Sequence, residues 1–296
     1  MHDLETLWEV PRKPKGVLFV AHGCSHQGSD FWPASQRCKH CLGLPEEMGV
    51  RAAALKRGYA VVAVTSYNRD SRCWHNTQAK RSEDLKRLPS ILRDVIQEEG
   101  LAGLPLFAFG ASSGGSLALR LAAVMPEVQG VICQITPVNP SALEVDGGGS
   151  RRFPPTVFVH MAQRDPEKAE TVAEAIKILK KAGTPATEIK VAPQAVTAAL
   201  LQRSDQIGGK QAKAIVAALK KGGALDKKGL LKLDPRSSAS TWRQMVEPVA
   251  GGLSLEADVS QIGELLNVAY ARHEIVSEHT AASLAWLEAG GKKKMG

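Results

Sequence analysis

A serine lies between glycines where an apolar run meets a helix-forming segment. The motif GASSG at residues 110–114 follows the apolar run 104–109, and alanine- and leucine-rich sequence follows the motif. A tight turn from strand to helix strains the backbone at its tip, and glycines on both sides avoid the clashes that a nearby Cβ would cause. Such a turn lifts the Ser112 hydroxyl clear of the sheet, beside a helix N-terminus whose free N–H groups stabilise an oxyanion. The motif predicts Ser112 as a nucleophile; Ser113 is the second choice, and a purely structural glycine turn is the other alternative.

Apolar runs and helix-forming segments alternate along the first two thirds of the chain. The predicted strands, each buried on both faces, are 16–23, 59–64, 104–109, 128–135, 156–161 and 187–191. The predicted helices are 46–57, 82–99, 113–124, 166–182 and, near the end of the chain, 278–287. Six strands alternating with helices predict an α/β fold, a mostly parallel, doubly wound sheet that binds ligands at the carboxyl ends of its strands.

The segment 194–252 lacks this alternation. Between Gln194 and Arg243 there are ten basic residues and three acidic ones, a net charge of +7 that is almost the whole excess of the chain. We interpret 194–252 as a helical, lid-like insertion over the active edge, between a core of residues 1–193 and a C-terminal part of the core, 253–296. Because the basic residues are mostly lysines with few aromatic neighbours, a solvated helix face explains them better than nucleic-acid binding.

The serine turn at residues 110–114 and its surroundings resemble those of the α/β-hydrolase family, and the resemblance covers nearly the whole chain. In that family an oxyanion-hole loop, commonly beginning His-Gly, follows a strand beside the nucleophile strand. Here His22-Gly23-Cys24 ends the first predicted strand. The resemblance implies that the backbone N–H groups of Cys24 and Ser113 bind the oxyanion. We expect no cofactor and no metal ion.

The resemblance also implies the chain order nucleophile, acid, histidine. Asp165 follows a late predicted strand and is the expected acid, although an aspartate before Pro166 could serve only as a helix cap. Asp146 and Glu144 occupy the other position where the family sometimes keeps its acid.

Two histidines follow the insertion, as the family order requires. With Ser277 as the N-cap of the last helix, His279 would fall in the first turn and His273 in the preceding loop. His273 is therefore the expected base, His279 is the second choice, and neither acting as base is the remaining alternative. His273 would take the proton of Ser112 and return it to the leaving group.

Polar and aromatic side chains after the first two predicted strands could line a substrate pocket. His26, Trp32 and Arg69 are the expected substrate contacts, and Arg72 and Trp74 could reach the same rim. The alternative is that the aromatic residues pack in the core or against loops, which is the commoner role.

The composition is that of an ordinary folded protein. Of 296 residues, 44% are hydrophobic and 23% are charged, which excludes a disordered or fibrous chain. No apolar run approaches about 18 residues, the length that spans a bilayer, and residues 1–5 lack the pattern of an export signal. We therefore expect no membrane span.

The cysteines number five and have irregular spacing. At least one must be free, and no secreted disulfide framework is implied. The C-x-x-C at 38–41 has the spacing of half a zinc site or of a redox pair, so zinc, a disulfide and loosely packed thiols all remain open. A reducing, cytoplasmic location fits best.

Together these features predict a serine hydrolase that cleaves a carboxylic ester or thioester of a small or medium substrate. If the basic segment is a lid, it adds the expectation of an anionic substrate or of attachment to an anionic surface; a lysine-coated surface kept for solubility is the equal alternative. The alternative is a binding or receptor protein of the same fold with little or no turnover. The oligomeric state is left open.

Overall fold

Within the residues that the structure describes, a sheet of seven strands forms the centre of the protein. The structure is a computed structural model, and it describes residues 4–75, 82–138, 143 and 153–292. The strands are β1 (Thr6–Glu9), β2 (Gly16–Ala21), β3 (Tyr59–Val64), β4 (Leu106–Ala111), β5 (Val128–Gln134), β6 (Thr156–His160) and β7 (Ala186–Lys190). Their order across the sheet is β1-β3-β2-β4-β5-β6-β7. β1 is antiparallel to β3, and the other neighbouring pairs are parallel.

The predicted fold class, a mostly parallel α/β sheet, is confirmed, but the prediction of about six strands was too low. The strand that was missed is β1, which is only half-buried along its length and pairs at the edge of the sheet. Its sequence, TLWE, is not the continuous apolar run by which a doubly buried strand is recognised.

Helices cover both faces of the sheet. They are α1 (Pro45–Lys56), α2 (Glu83–Glu98), α3 (Ser113–Val124), α4 (Pro166–Lys181), α5 (Ala198–Leu201), α6 (Gly209–Lys221), α7 (Trp242–Val246), α8 (Gln261–Tyr270) and α9 (Thr280–Glu288). Successive strand residues point to opposite faces, so Leu18 and Val20 join one apolar cluster and Val17 and Phe19 the other. The first cluster includes residues of α1 and α5–α9, and the second includes residues of α2–α4. Within the described ranges, none of these helices combines the length and the apolar character that a membrane crossing requires.

The segment 194–252 contains α5, α6 and α7, and its apolar side chains continue the first cluster. Leu201, Ile215 and Trp242 are at most 1% exposed and belong to the same cluster as strand residues of the sheet. Its lysines are exposed, namely Lys210, Lys213, Lys220, Lys221, Lys227, Lys228 and Lys232. The division of the chain into 1–193, 194–252 and 253–296, and any movement of the middle segment as a lid, remain predictions.

The C-terminal helices differ from the expectation in two respects. α8 was not predicted, and α9 begins after His279, which occupies the N-cap position assigned to Ser277. Ser277 is engaged elsewhere: its N–H donates to Glu46 Oε2 at 2.6 Å, and its hydroxyl accepts a hydrogen bond from Arg203 at 2.8 Å. These tertiary contacts hold Ser277 outside the helix.

Four of the five cysteines form disulfides, although the sequence implied no secreted disulfide framework; a disulfide at the C-x-x-C was one of the alternatives left open. Cys24 is bonded to Cys73 and Cys38 to Cys41. The Cys38–Cys41 bond excludes both zinc binding and free thiols at the C-x-x-C. Cys133 is free, as the odd number requires, and it is buried. Because disulfides persist mainly in oxidising compartments, the two bonds weigh against the cytoplasmic location expected from the sequence.

Candidate active site

Ser112 lies at the tip of the turn between β4 and α3. Its backbone has φ 54° and ψ −120°, a strained combination for a residue other than glycine. A Cβ at Gly110 would lie 2.0 Å from the carbonyl oxygen of Gly114, and a Cβ at Gly114 would lie 2.3 Å from the carbonyl oxygen of Ala21. Only glycine fits at these two positions. The motif therefore allows the chain to turn sharply and to present Ser112 at the carboxyl edge of the sheet.

The loop between α8 and α9 brings His273 to this serine. Ser112 Oγ and His273 Nε2 are 2.9 Å apart. Burial lowers the pKa of His273 below its ordinary value, and the charge of Arg236 lowers the pKa further. A neutral imidazole in this position can accept the hydroxyl proton. The other candidate, His279, instead lies 3.0 Å from the carboxylate of Glu278.

Asp165 lies near His273 but is hydrogen-bonded elsewhere. Its carboxylate caps α4 by accepting a hydrogen bond from Lys168 N at 3.2 Å. Its charge acts to raise the pKa of His273, which places it within electrostatic range of the ring. Within the described residues, no hydrogen bond joins the two side chains. The capping role is thus observed, and the catalytic role stays a prediction. The alternatives Glu144 and Asp146 lie outside the described residues.

The loop after β2 passes beside the candidate nucleophile. A Cβ at Gly23 would lie 3.7 Å from Ser112 Cβ, and Cys24 lines the same cavity as Ser112. Ser113 is the first residue of α3. Neither the Cys24 N–H nor the Ser113 N–H donates to an acceptor within the described residues. These two backbone N–H groups could donate hydrogen bonds to an oxyanion that forms beside Ser112.

A buried histidine and tryptophan hold this loop. The Ser66 N–H donates to His22 Nε2 at 3.0 Å, so the ring proton is on Nδ1, which donates to the Gly23 carbonyl oxygen at 2.6 Å. Burial lowers the pKa of His22 to about 3, which keeps the ring neutral. The indole N–H of Trp74 donates to the His22 carbonyl oxygen at 2.8 Å. Trp74 is therefore a buried support of the loop rather than part of a pocket rim.

Gln134, at the end of β5, was missed by the sequence analysis. Its carbonyl oxygen accepts the Ser112 N–H at 3.0 Å, and its side chain pairs with the backbone of Val276. Val276 belongs to the same loop as His273. Gln134 thus connects the turn of the serine to the loop of the histidine. The sequence feature that could have identified Gln134 is its polar side chain at the end of a mostly apolar strand.

Two adjoining cavities form a cleft beside Ser112. The cavity that includes Ser112 and His273 has a volume of about 200 Å³, and its neighbour has a volume of about 220 Å³. Both cavities are lined by His26, Arg236, Asp258 and Glu274. Among the described residues, no group of three or more His, Cys, Asp or Glu side chains is arranged to hold a metal ion.

The three residues predicted to contact substrate lie in different places. His26 lines both cavities. Trp32 packs against the first apolar cluster, with the guanidinium of Arg51 5.4 Å from its ring centre. Arg69 donates to Gln27 Oε1 at 3.3 Å. In the described part of the chain, Trp32 and Arg69 are not among the residues that line the cleft.

The cleft wall contains buried carboxyl groups that the sequence analysis did not select. Glu47 is 2% exposed, and Glu264 and Glu274 are each 7% exposed. Burial raises the pKa of Glu47 to about 7 and raises that of Glu264 well above its ordinary value. Glu274 accepts a hydrogen bond from Arg236 at 2.7 Å. Glutamates in the first turn of a helix are common, so nothing in the sequence marked Glu47 as special.

Comparison with solved structures finds proteins that are similar in part. Esterase PE8 is 16% identical, with 64% of this chain and 89% of that chain covered and a TM-score of 0.47. An S-formylglutathione hydrolase from Agrobacterium tumefaciens is 18% identical, with coverages of 64% and 80% and a TM-score of 0.42. An acetyl xylan esterase from Aspergillus awamori is 16% identical, with coverages of 59% and 76% and a TM-score of 0.42. No family model and no curated protein matches the chain.

The mostly parallel topology of the sheet and the positions of Ser112 and His273 are those expected from the sequence. The sheet is parallel apart from one edge strand, and helices cover both of its faces. A strained serine follows the central strand β4, and a histidine contacts it from a loop beyond the last strand. The chain thus has the α/β-hydrolase fold.

Proposed function

We propose that the protein is a serine hydrolase that cleaves a carboxylic ester or thioester through an acyl-enzyme on Ser112. The observation that carries the proposal is the 2.9 Å contact between Ser112 Oγ and His273 Nε2 at the tip of a strained turn. A glycine turn with only a structural role needs no imidazole at its hydroxyl. The cleft of two small cavities fits a substrate of small or medium size.

In the proposed reaction, His273 takes the hydroxyl proton as Ser112 Oγ bonds to the carbonyl carbon. The N–H groups of Cys24 and Ser113 donate to the oxyanion. The bond to the alcohol or thiol then breaks, and His273 returns the proton to this leaving group. Water attacks the acyl-enzyme and gives a proton to His273, which restores Ser112 and releases the acid. Asp165 would act on His273 through its charge.

A fluorophosphonate probe tests the proposal, because it reacts with a serine only when the hydroxyl is activated. We expect stoichiometric labelling of the wild-type protein and none of Ser112→Ala. Ser112→Ala should also abolish ester hydrolysis and leave the melting temperature almost unchanged, because the hydroxyl belongs to the site and not to the core.

Ser116→Ala is the matched control. Ser116 lies one turn further along α3, and its hydroxyl donates to the Thr136 carbonyl oxygen at 3.0 Å. This variant should keep both labelling and hydrolysis. Hydrolysis by Ser112→Ala near the wild-type rate would refute the proposal.

A second candidate function is a binding or receptor protein in which the site turns over slowly or not at all. The observation that favours it is the carboxylate of Asp165, which hydrogen-bonds to Lys168 N and not to His273. Without a hydrogen-bonded acid, the imidazole lacks the partner that fixes its tautomer in a complete triad. Absence of labelling in folded protein would favour this candidate.

A further inference from the structure

The cations of the cleft beside Ser112 already have partners. Arg236 donates to Glu274 Oε2 at 2.7 Å. His26 Nδ1 lies 3.3 Å from Asp30 Oδ2. Burial acts to lower the pKa of His26, but the surrounding carboxylates, with Asp30 first among them, raise that pKa to about 9. The field at His26 is therefore negative even after its own charge is paired.

Three further carboxylates of the cleft form no ion pair within the described residues. They are Glu47, Glu256 and Asp258. The remaining cation, Arg243, lies over the ring of Trp242, with its guanidinium carbon 4.7 Å from the ring centre. The cleft thus has an excess of negative charge.

Glu47 is the buried member of this group. It is 2% exposed, it lines the cavity of Ser112, and its Oε2 atom has no hydrogen-bond donor. The side chain of Glu264 lies within hydrogen-bonding reach, and because burial raises its pKa well above the ordinary value, it can donate to one oxygen of Glu47. The Oε2 atom is still without a donor, and a buried carboxyl oxygen in that state costs folding free energy. Such a cost is expected where a ligand supplies the missing donor.

We propose that Glu47 binds a primary ammonium group of the substrate, so that the preferred esters carry an amine at some distance from the ester bond. An ammonium group has three donors and a positive charge, which satisfy Glu47 and offset the carboxylates Asp258 and Glu256 at the rim. The inference rests on the proposed function, because Ser112 defines the reacting end of the cleft. It differs from the anionic substrate expected from the basic segment. The lysines of that segment are exposed and do not line the cleft. Its arginines Arg236 and Arg243 do line the cleft, where Arg236 is paired with Glu274 and Arg243 lies over the ring of Trp242.

Matched esters test the inference in the wild-type protein. The first set is p-nitrophenyl hexanoate, its ω-amino derivative and its ω-carboxylate derivative, which place each charge on the acyl chain. The second set is hexyl hexanoate and ω-aminohexyl hexanoate, which place the amine on the alcohol. We expect kcat/KM for at least one amine ester to exceed that of its methyl-terminated counterpart by about tenfold or more, as for a desolvated charge pair. The ω-carboxylate ester should be the poorest substrate of its set.

Substitution of Glu47 tests whether its carboxylate causes the preference for amine esters. Glu47→Gln keeps the shape and removes the charge, so it should lower the ratio between amine and methyl-terminated esters by about tenfold. Asp258→Asn should lower the ratio less, because the rim is exposed to water and salt. Glu170→Gln, on the exposed face of α4, is the control and should leave the ratio unchanged. An unchanged ratio in Glu47→Gln would overturn the inference.

The outcomes separate this inference from the proposed function. If p-nitrophenyl hexanoate is cleaved and Ser112 is labelled but neither amine ester is preferred, the ammonium site is refuted and the hydrolase stands. If the ω-carboxylate ester is preferred, the ammonium site is likewise refuted and the basic segment becomes the explanation. If no ester is cleaved and Ser112 is not labelled, the proposed function fails and the inference fails with it.

Discussion

Gln134 and Val276 exchange two hydrogen bonds. Gln134 Nε2 donates to the Val276 carbonyl oxygen at 2.8 Å, and the Val276 N–H donates to Gln134 Oε1 at 2.9 Å. Both groups are buried. The pair fixes the loop of His273 to the same strand end whose backbone holds Ser112. The distance between hydroxyl and imidazole is therefore set by β5 and not by the loop alone.

Gln134→Ala is expected to reduce kcat about tenfold and to lower stability by about 2 kcal/mol, because two buried backbone groups of Val276 lose their partners. The hydrogen bond from the Ser112 N–H to the Gln134 carbonyl oxygen is unaffected by the substitution. A loss of kcat in this variant therefore reports on the position of the loop that contains His273 and not on the turn of Ser112. Kinetics together with thermal unfolding measure it, and an unchanged kcat with a lowered melting temperature would limit Gln134 to a structural role.

Asp165→Asn separates the capping role of this residue from a catalytic one. Asparagine caps helices about as well as aspartate, so stability should change little. If Asp165 serves His273, kcat should fall strongly, though less than in His273→Ala, which we expect to be as damaging as loss of the serine. Asp146→Asn is the comparison variant. Damage from Asp146→Asn together with tolerance of Asp165→Asn would show that the acid is misassigned.

The pH dependence should report the lowered pKa of His273. The base is active when unprotonated, so kcat/KM should fall with decreasing pH through a pKa below 6.5, the ordinary value of histidine. Arg236→Gln removes a positive charge that opposes protonation, so the acidic limb should move to higher pH. Arg272→Gln, an exposed neighbour paired with Asp234, should leave the limb in place. A limb that does not move in Arg236→Gln would contradict this account of the pKa.

The disulfide between Cys24 and Cys73 should support both activity and stability. It closes a span of 49 residues, for which the chain-entropy model gives about 4 kcal/mol. Cys24→Ser with Cys73→Ser is expected to lower the melting temperature and to reduce kcat, because the Cys24 N–H is a proposed oxyanion donor. Cys38→Ser with Cys41→Ser is the control. That bond spans only 3 residues, so its loss should affect stability less and leave kcat unchanged. Equal loss of kcat in both double variants would argue against a special role for the oxyanion loop.

The sequence was sufficient to predict the interior of the sheet and the serine turn. β3 is a continuous apolar run because both of its faces are buried, and Gly110 is required by contacts within its own turn, whereas Gly114 is required by the backbone of Ala21 on the neighbouring strand. Both features leave a local pattern in the sequence, an apolar run and a G-x-S-x-G motif, although part of their physical cause lies in distant residues. The contact between Ser112 and His273 was expected from the family order, since no local pattern links residues 161 positions apart.

The remaining features depend on partners that are distant in sequence. β1 is recognisable only by its pairing with β3, and the side chain of Gln134 by its pairing with a residue 142 positions away. The partner of Cys24 could not be chosen among the other cysteines without the fold. Glu47 looked like an ordinary residue of a first helical turn until the structure placed it in the cleft. In each case the physical cause is a tertiary contact.

The unbroken apolar cluster between α5–α7 and the sheet ties their unfolding together. Side chains such as Leu201 and Trp242 lose their burial only when the cluster itself opens. A lid joined to the core only by flexible linkers would unfold at a lower temperature than the sheet and would be cleaved first by proteases. Here we expect one cooperative transition, in which α5–α7 resist proteolysis until the sheet melts. The cleft should accordingly keep its shape up to the melting temperature, and heat should inactivate the protein and unfold it at the same midpoint.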